Sequence, residues 1–84
     1  MDVLISVPEY DGRRGIHLEW DDGFEIGVAV DGSEVRLVAN RAGLVSLARH
    51  LLTLAQDGVP SGRHVHLTAG QELESTVDLI LERE

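Results

Sequence analysis

Hydrophobic and polar residues alternate in short runs along the first half of the chain, with the period of a half-buried β-strand. Val3 to Val7 and Ile16 to Trp20 are the first two runs, and Phe24 to Val30 and Val35 to Ala39 are the next two. Turn sequences rich in Asp and Gly separate the later runs. Links this tight predict an antiparallel meander, because parallel neighbours need a longer crossover.

The period changes to that of a helix between Asn40 and Asp57. Asn40 suits the N-cap, Gly58 suits the left-handed position after the last turn, and Pro60 stops continuation. The pattern predicts that one apolar stripe packs on the sheet and that the opposite arc is solvated. The stripe consists of Leu44, Leu47, Ala48, Leu51, Leu54 and Ala55, and the opposite arc of Ser46, Arg49, His50, Thr53, Gln56 and Asp57.

Two further strands are predicted after the helix, at His64 to Leu67 and at Thr76 to Glu82. The element order is therefore ββββαββ. This order predicts an α+β fold, with an antiparallel sheet of about six strands and one amphipathic helix packed on one face. We expect residues 1–84 to form a single domain, because the chain is too short for two cores and shows no linker or repeat.

The net charge of the chain favours some classes of binding partner over others. Acidic residues outnumber basic ones by 15 to 7, and the formal net charge is −8. This balance disfavours nucleic acids and anionic membranes, which are bound through Lys and Arg. It favours encounter with a basic protein, although solubility alone would also explain it. The absence of Cys and of a basic, apolar leader leads us to expect a cytoplasmic protein.

Histidines form the most distinctive polar pattern. His64 and His66 are two residues apart and share one face of a predicted strand. His17 and Glu19 alternate with apolar neighbours and should lie on the same outer face of the sheet. If their strands are adjacent, three imidazoles and a carboxylate converge, a set that can bind zinc. Polar residues on a solvated sheet face need no ligand. We interpret the four residues as a surface for a protein partner, with metal binding through His64 and His66 as a weaker alternative.

Signatures of catalysis are absent from the sequence. No serine lies in a nucleophile-elbow pattern, and no glycine cluster has phosphate-loop spacing. Asp21 and Asp22 are adjacent, but they lie in a predicted turn, where Asp is favoured by geometry. We therefore expect neither enzymatic activity nor a cofactor. Trp20 shares a predicted face with Ile16 and Leu18, which indicates core packing.

The C-terminal half resembles a known family. Its helix opens with Asn40-Arg41-Ala42-Gly43-Leu44, and Gly62-Arg63-His64-Val65-His66 leads into the next strand. The combination of N-R-x-G-L with G-x-H-x-H resembles immunity protein family thirty-two of bacterial polymorphic-toxin systems. The resemblance implies an intracellular protein that neutralises a cognate toxin, often a nuclease, by occluding its active site. By matching position, Gly62, His64 and His66 carry over as the family's signature.

Two alternatives to toxin binding remain open at the level of sequence. The first is a self-associating module that forms a homodimer through an open sheet face, which would add buried surface to a small domain. The second is the small metal-binding protein already described. A basic toxin suits the acidic chain best, because charge of opposite sign steers association.

Overall fold

Two antiparallel strand pairs and one helix make up the regular structure. The computed structural model describes residues 1–84. Its elements are β1 (Ile26–Asp31), β2 (Glu34–Ala39), α1 (Arg41–Leu54), β3 (His64–Leu67) and β4 (Leu79–Glu82). β1 pairs with β2 and β3 pairs with β4, and the two pairs form separate sheets. No helix of the chain has the length and apolar character needed to cross a membrane.

The predicted α+β class is confirmed, but the predicted six-stranded sheet is wrong. The runs Val3 to Val7 and Ile16 to Trp20 form no strand. β4 begins at Leu79 rather than at Thr76, and α1 ends at Leu54, short of its predicted end. The observed order is ββαββ, with two sheets of two strands each.

The apolar core lies among the helix, both strand pairs and the loop before β4. Half-buried apolar side chains of the N-terminal part, including Ile16, Leu18 and Trp20, pack against it. The alternation between positions 16 and 20 therefore identified the inward side chains correctly, although no strand forms there, and the predicted core packing of Trp20 is confirmed. The buried core residues are Ile26, Val28, Leu47, Leu54, Val65, Leu67 and Leu73.

The N-terminal segment, residues 1–24, is held by polar side chains of α1. Arg49 donates from Nε to the Ser6 carbonyl oxygen at 3.0 Å and from Nη1 to the Glu19 carbonyl oxygen at 3.3 Å. Its Nη1 also forms an ion pair with Asp21 Oδ1 at 2.9 Å. One guanidinium thus joins three separate points of a segment that has little regular structure of its own, using the several donors that arginine presents in a fixed fork.

Ser46 in α1 and Gln56, two residues after its end, extend this contact. Ser46 Oγ accepts from the Asp21 N–H at 2.9 Å. Gln56 Oε1 accepts from the Tyr10 N–H at 2.9 Å, and Gln56 Nε2 donates to the Pro8 carbonyl oxygen at 2.8 Å. Backbone groups that are withdrawn from water need hydrogen-bond partners. Here the helix supplies partners that a neighbouring strand would supply in the predicted sheet.

The predicted orientation of α1 is therefore wrong. Of the apolar stripe, Leu47 and Leu54 are buried, but Leu44 and Leu51 are each 53% exposed. Most of the arc predicted to be solvated faces the protein instead, although Asp57 is exposed, and the Arg49 side chain is only 12% exposed. The polar face is turned inward because the N-terminal segment needs its donors and acceptors. Three other members of that arc are completely buried, namely Ser46, His50 and Thr53.

Asn40 and Gly43 fix the position of the start of α1 against the start of β1 and the residues just before it. Asn40 Oδ1 accepts from the N–H groups of Gly43 at 2.8 Å and Glu25 at 3.0 Å, and Asn40 Nδ2 donates to the Gly23 carbonyl oxygen at 2.9 Å. A Cβ at position 43 would lie 2.5 Å from the Glu25 oxygen and 2.9 Å from Ile26 Cγ1. Close packing of helix on strand thus accounts for both residues, and the predicted N-cap is confirmed.

We expect Gly43→Ala to destabilise the fold, although Ala is the better helix former by about 1 kcal/mol. The new Cβ collides with a backbone carbonyl, and overpacking of this kind costs about 1–3 kcal/mol. The free energy of unfolding in urea measures the effect. Ala48→Gly is the control at an exposed helix position, where the loss should be about 1 kcal/mol from helix propensity alone. A Gly43→Ala protein as stable as the wild type would contradict the close contact.

His50 is buried beneath the aromatic side chains of the N-terminal segment. The Trp20 ring stacks on Phe24 at 4.3 Å and meets the His50 ring edge-on at 4.4 Å. Neither ring nitrogen of His50 has a hydrogen-bond partner. Burial, and secondarily the charge of Arg49, lowers the pKa of His50 below its ordinary value of 6.5. The folded protein therefore favours the neutral imidazole.

We expect the stability of the protein to decrease as the pH falls below about 6.5, because the unfolded chain then binds a proton at His50 that the folded chain excludes. Above that pH the imidazole is neutral in both states, and its contribution is constant. Thermal unfolding between about pH 7.5 and about pH 5.5, above the range in which carboxylates titrate, measures the slope. His50→Leu should reduce this slope, whereas His17→Ala, at an exposed position, should retain it. An equal slope in the His50→Leu protein would refute the assignment.

Candidate partner-binding face

The outer face of the β3–β4 pair presents both histidines of the predicted site. His64 and His66 are exposed, and the residues that alternate with them are buried. The strand register places His64 opposite Glu82 and His66 opposite Ile80. Ile80 and Glu82 are also exposed. We refer to His64, His66, Asp78, Ile80 and Glu82 as the histidine face.

His66 is oriented by a carboxylate at the beginning of this face. Its Nε2 lies 2.8 Å from Asp78 Oδ2, and Asp78 Oδ1 accepts from the Ala69 N–H at 2.8 Å. The Ala69 N–H, followed by the contact with His66, lowers the pKa of Asp78 below its ordinary range. An ionised carboxylate only accepts hydrogen bonds, so the proton between the two groups belongs to His66 Nε2. The His66 ring is therefore either the neutral tautomer with its proton on Nε2 or the charged imidazolium, and in both forms it donates to Asp78.

Gly62 has a structural reason to stand before the histidines. Its φ is +85°, in the left-handed region that favours glycine. Its N–H donates to the Arg83 carbonyl oxygen at 2.8 Å, and the Arg83 N–H donates to the Arg63 carbonyl oxygen at 2.8 Å. The Gly62 carbonyl oxygen lies 3.2 Å from His64 Nδ1. Gly62 therefore turns the loop into β3 and supports the first histidine.

An apolar groove of about 460 Å³ adjoins the histidine face, between the second half of α1 and β4. Leu51 and Ile80 are two of its exposed apolar residues, and Glu82 and Glu84 contribute carboxylates. Arg83 also lines the groove, but its Nη1 donates to carbonyl oxygens at the end of α1. The groove consequently combines apolar walls with acidic groups.

Asp78, Ile80 and Leu51 were not among the site residues predicted from the sequence. The strand signal was present, because Asp78 and Ile80 alternate in register with Glu82 and must share its face. The helix signal was weaker. Apolar residues, among them Leu52, cover more of the circumference of α1 than one stripe can bury, but the pattern does not show which of them remain exposed.

His17 and Glu19 belong to the N-terminal segment, not to the β3–β4 pair. Both are exposed, and His17 Nε2 lies 3.9 Å from Glu19 Oε1. The structure forms no hydrogen bond or ion pair between them and His64 or His66. No three His, Asp or Glu side chains lie close enough together to hold a metal ion. The convergence of three imidazoles and a carboxylate, which depended on adjacent strands, therefore does not occur, and the metal-binding alternative gains no support.

Comparison with known proteins identifies one family. The model of the family described as Immunity protein 32 matches residues 34–84. The matched region runs from the start of β2 through β4, and it includes the capped helix start and the histidine face. No curated protein and no solved structure matches the chain significantly.

We expect the carboxyl group of Asp78 to titrate below the ordinary range for Asp, because two hydrogen bonds favour its charged form. The stabilisation is present above the pKa of the unfolded chain and is lost as the pH falls through the lower pKa of the folded state. Carboxyl-carbon NMR across acidic pH measures this titration. His66→Ala should raise the pKa only in part, because the Ala69 N–H is the larger cause. An ordinary value in the wild type would show that the contacts do not persist in solution.

Proposed function

The chain belongs to the immunity protein 32 family, and we propose that it binds a cognate bacterial toxin and neutralises it by covering the toxin's active site. We further propose that it acts in the cytoplasm, by binding alone, since the family is generally non-catalytic. The proposed binding surface is centred on the histidine face.

Five residues of the two motifs divide into two groups, and this division carries the proposal. Asn40 and Gly43 are explained by the contact of α1 with β1, and Gly62 by its left-handed backbone. His64 and His66 are exposed, and the polar contacts of their rings are with the exposed residues Gly62 and Asp78 and not with the core. Exposed residues that the fold does not require are better explained by a partner than by packing.

The surroundings of the two histidines suit a protein interface. Ile80 lies opposite His66 and is exposed, and the apolar groove continues from Ile80 to Leu51. Protein interfaces generally place apolar anchors at the centre and polar groups at the rim. Here the groove supplies the apolar anchors, and His64, His66 and Glu82 supply the polar groups around them.

The charge of the molecule supports a basic toxin, with a nuclease as the natural candidate. The net charge of −8 speeds encounter with a cationic surface, and carboxylates can take the place of substrate phosphates in a nuclease cleft. His17 and Glu19 are included in the proposed contact surface because both are exposed and carry ionisable groups. Their contribution is proposed at the periphery, since no contact joins them to the histidine face.

Self-association is a second candidate function, favoured by one observation. Exposed large apolar side chains are present on β2 and α1 as well as on β4, more than a single small interface requires. A homodimer would cover part of this surface. The candidate is compatible with toxin binding, because β2 and the histidine face belong to different sheets.

Binding of the toxin encoded next to this gene tests the main proposal. We expect a stable one-to-one complex whose association rate falls as salt is added. The double variant His64→Ala/His66→Ala should bind about tenfold more weakly or worse. The control is Ser33→Ala, in the exposed turn between β1 and β2.

Two results would separate the parts of the proposal. A wild-type protein that fails to bind this toxin at concentrations of about 1 μM would refute the immunity function. Full binding by the histidine double variant, with its thermal midpoint unchanged, would preserve the function but place the contact on another surface. Loss of binding in Ser33→Ala as well would show that the assay reports folding and not the histidine face.

A further inference from the structure

β2 is an edge strand that exposes an unusual amount of apolar surface. Val35 is 71% exposed and Val38 60% exposed, and β1 is the only strand that pairs with β2. Soluble proteins commonly protect such edges with Pro, charged side chains or a bulge. β2 has no Pro, and its register with β1 continues without a bulge from Glu34 to Ala39, so its only protection is the charge of Glu34 and Arg36, which a strand of complementary charge neutralises. The edge is therefore open to another strand.

The backbone groups on this edge can be assigned from the pairing pattern. In an antiparallel pair, successive residues direct their N–H and C=O groups to opposite edges. The Asn40 N–H donates to the Glu25 carbonyl oxygen on the β1 side. Residues an odd number of positions from Asn40 therefore face the other way. Val35 and Leu37 thus direct their N–H and C=O groups away from β1, towards the open edge.

We infer that β2 pairs antiparallel with β2 of a second copy of this chain, about a two-fold axis at Val35. In this register, Val35 lies opposite Val35 of the second copy and exchanges two hydrogen bonds with it. Glu34 lies opposite Arg36 of the second copy, and the symmetry repeats this pair. Opposite charges directly across a strand pair stabilise the pairing.

The placement of charge on β2 points to a second copy rather than to an unrelated protein. Glu34 and Arg36 flank Val35 at equal distance, so the strand is its own electrostatic complement about that residue. Two-fold dimers require this kind of self-complementary surface. A shift of the axis to Arg36 would instead place Arg36 opposite Arg36 of the second copy, which is unfavourable.

The paired edge would create a sheet of four strands in the order β1-β2-β2-β1. Val30 lies opposite Val35 within each copy and is itself exposed. The dimer would therefore align a continuous row of four valines across the two-fold axis. Pairing through one short strand buries little area, so we expect a dissociation constant between about 10 μM and about 1 mM. This inference rests on the self-association proposed above and specifies its surface; it does not depend on the toxin, because the histidine face lies on the other sheet.

Sedimentation equilibrium of the full chain, from about 10 μM to about 1 mM, tests the inference. We expect a reversible monomer–dimer equilibrium. Val35→Pro should abolish the dimer and leave the fold intact, because this N–H points away from β1 and proline is tolerated at such edge positions. Circular dichroism and the thermal midpoint of the dilute protein verify that the variant is folded.

Charge reversal tests the register separately. Glu34→Arg and Arg36→Glu should each weaken the dimer about tenfold, because each places like charges across the axis. The double variant Glu34→Arg/Arg36→Glu should restore wild-type association. A strict monomer at the highest concentration would overturn the inference, as would a dimer that survives Val35→Pro. A double variant that remains as weak as the single variants would overturn the proposed register.

Discussion

The side chains of Ser46, Arg49 and Gln56 bind the backbone of the N-terminal segment, and the orientation of α1 depends on this contact. The segment forms no strand pair, so its backbone groups need partners from elsewhere. With the apolar stripe turned inward, these side chains would point away from the segment and the contacts would be lost. The protein instead buries a face that is half polar and retains only Leu47 and Leu54 of the predicted stripe in the core.

The exposed apolar surface of the molecule follows from that orientation. Leu44 and Leu51 are displaced from the interior, and Leu51 becomes one wall of the groove that reaches Ile80. A small protein bears such exposure at a cost in solubility, which a net charge of −8 offsets. The same charge is the reason for proposing a basic partner. The orientation of α1 therefore affects both the packing of the fold and the apolar groove of the proposed binding surface.

The two motifs that resemble the family combine residues of two kinds. Asn40, Gly43 and Gly62 set the backbone where a cap, a close contact or a left-handed turn is required. His64 and His66 use that scaffold to present two imidazoles on an open strand face, one of them oriented by Asp78. The family match covers the residues that provide these features, whereas the contacts of Arg49 with the N-terminal segment also involve residues outside the matched region, such as Ser6.

Much of the local structure could be predicted from the sequence alone. The cap at Asn40, the helix, the hairpin of β1 and β2 and the outward direction of His64 and His66 all follow from spacing, because periodicity determines which side chains share a face. Even in the run from Ile16 to Trp20, the inward residues were identified correctly. The G-x-H-x-H pattern also indicated the family.

Only the tertiary structure shows which segment packs against each face. The first two runs have strand-like alternation, yet they remain unpaired, because pairing requires a partner edge that local sequence does not specify. The helix contains an apolar stripe and a polar arc. Its polar arc faces the protein because the side chains there bind backbone groups of the N-terminal segment. The separation of His17 and Glu19 from the histidine face has the same origin. Which residues share a face is a local property of the chain, whereas which faces come together depends on hydrogen bonds and packing between distant segments.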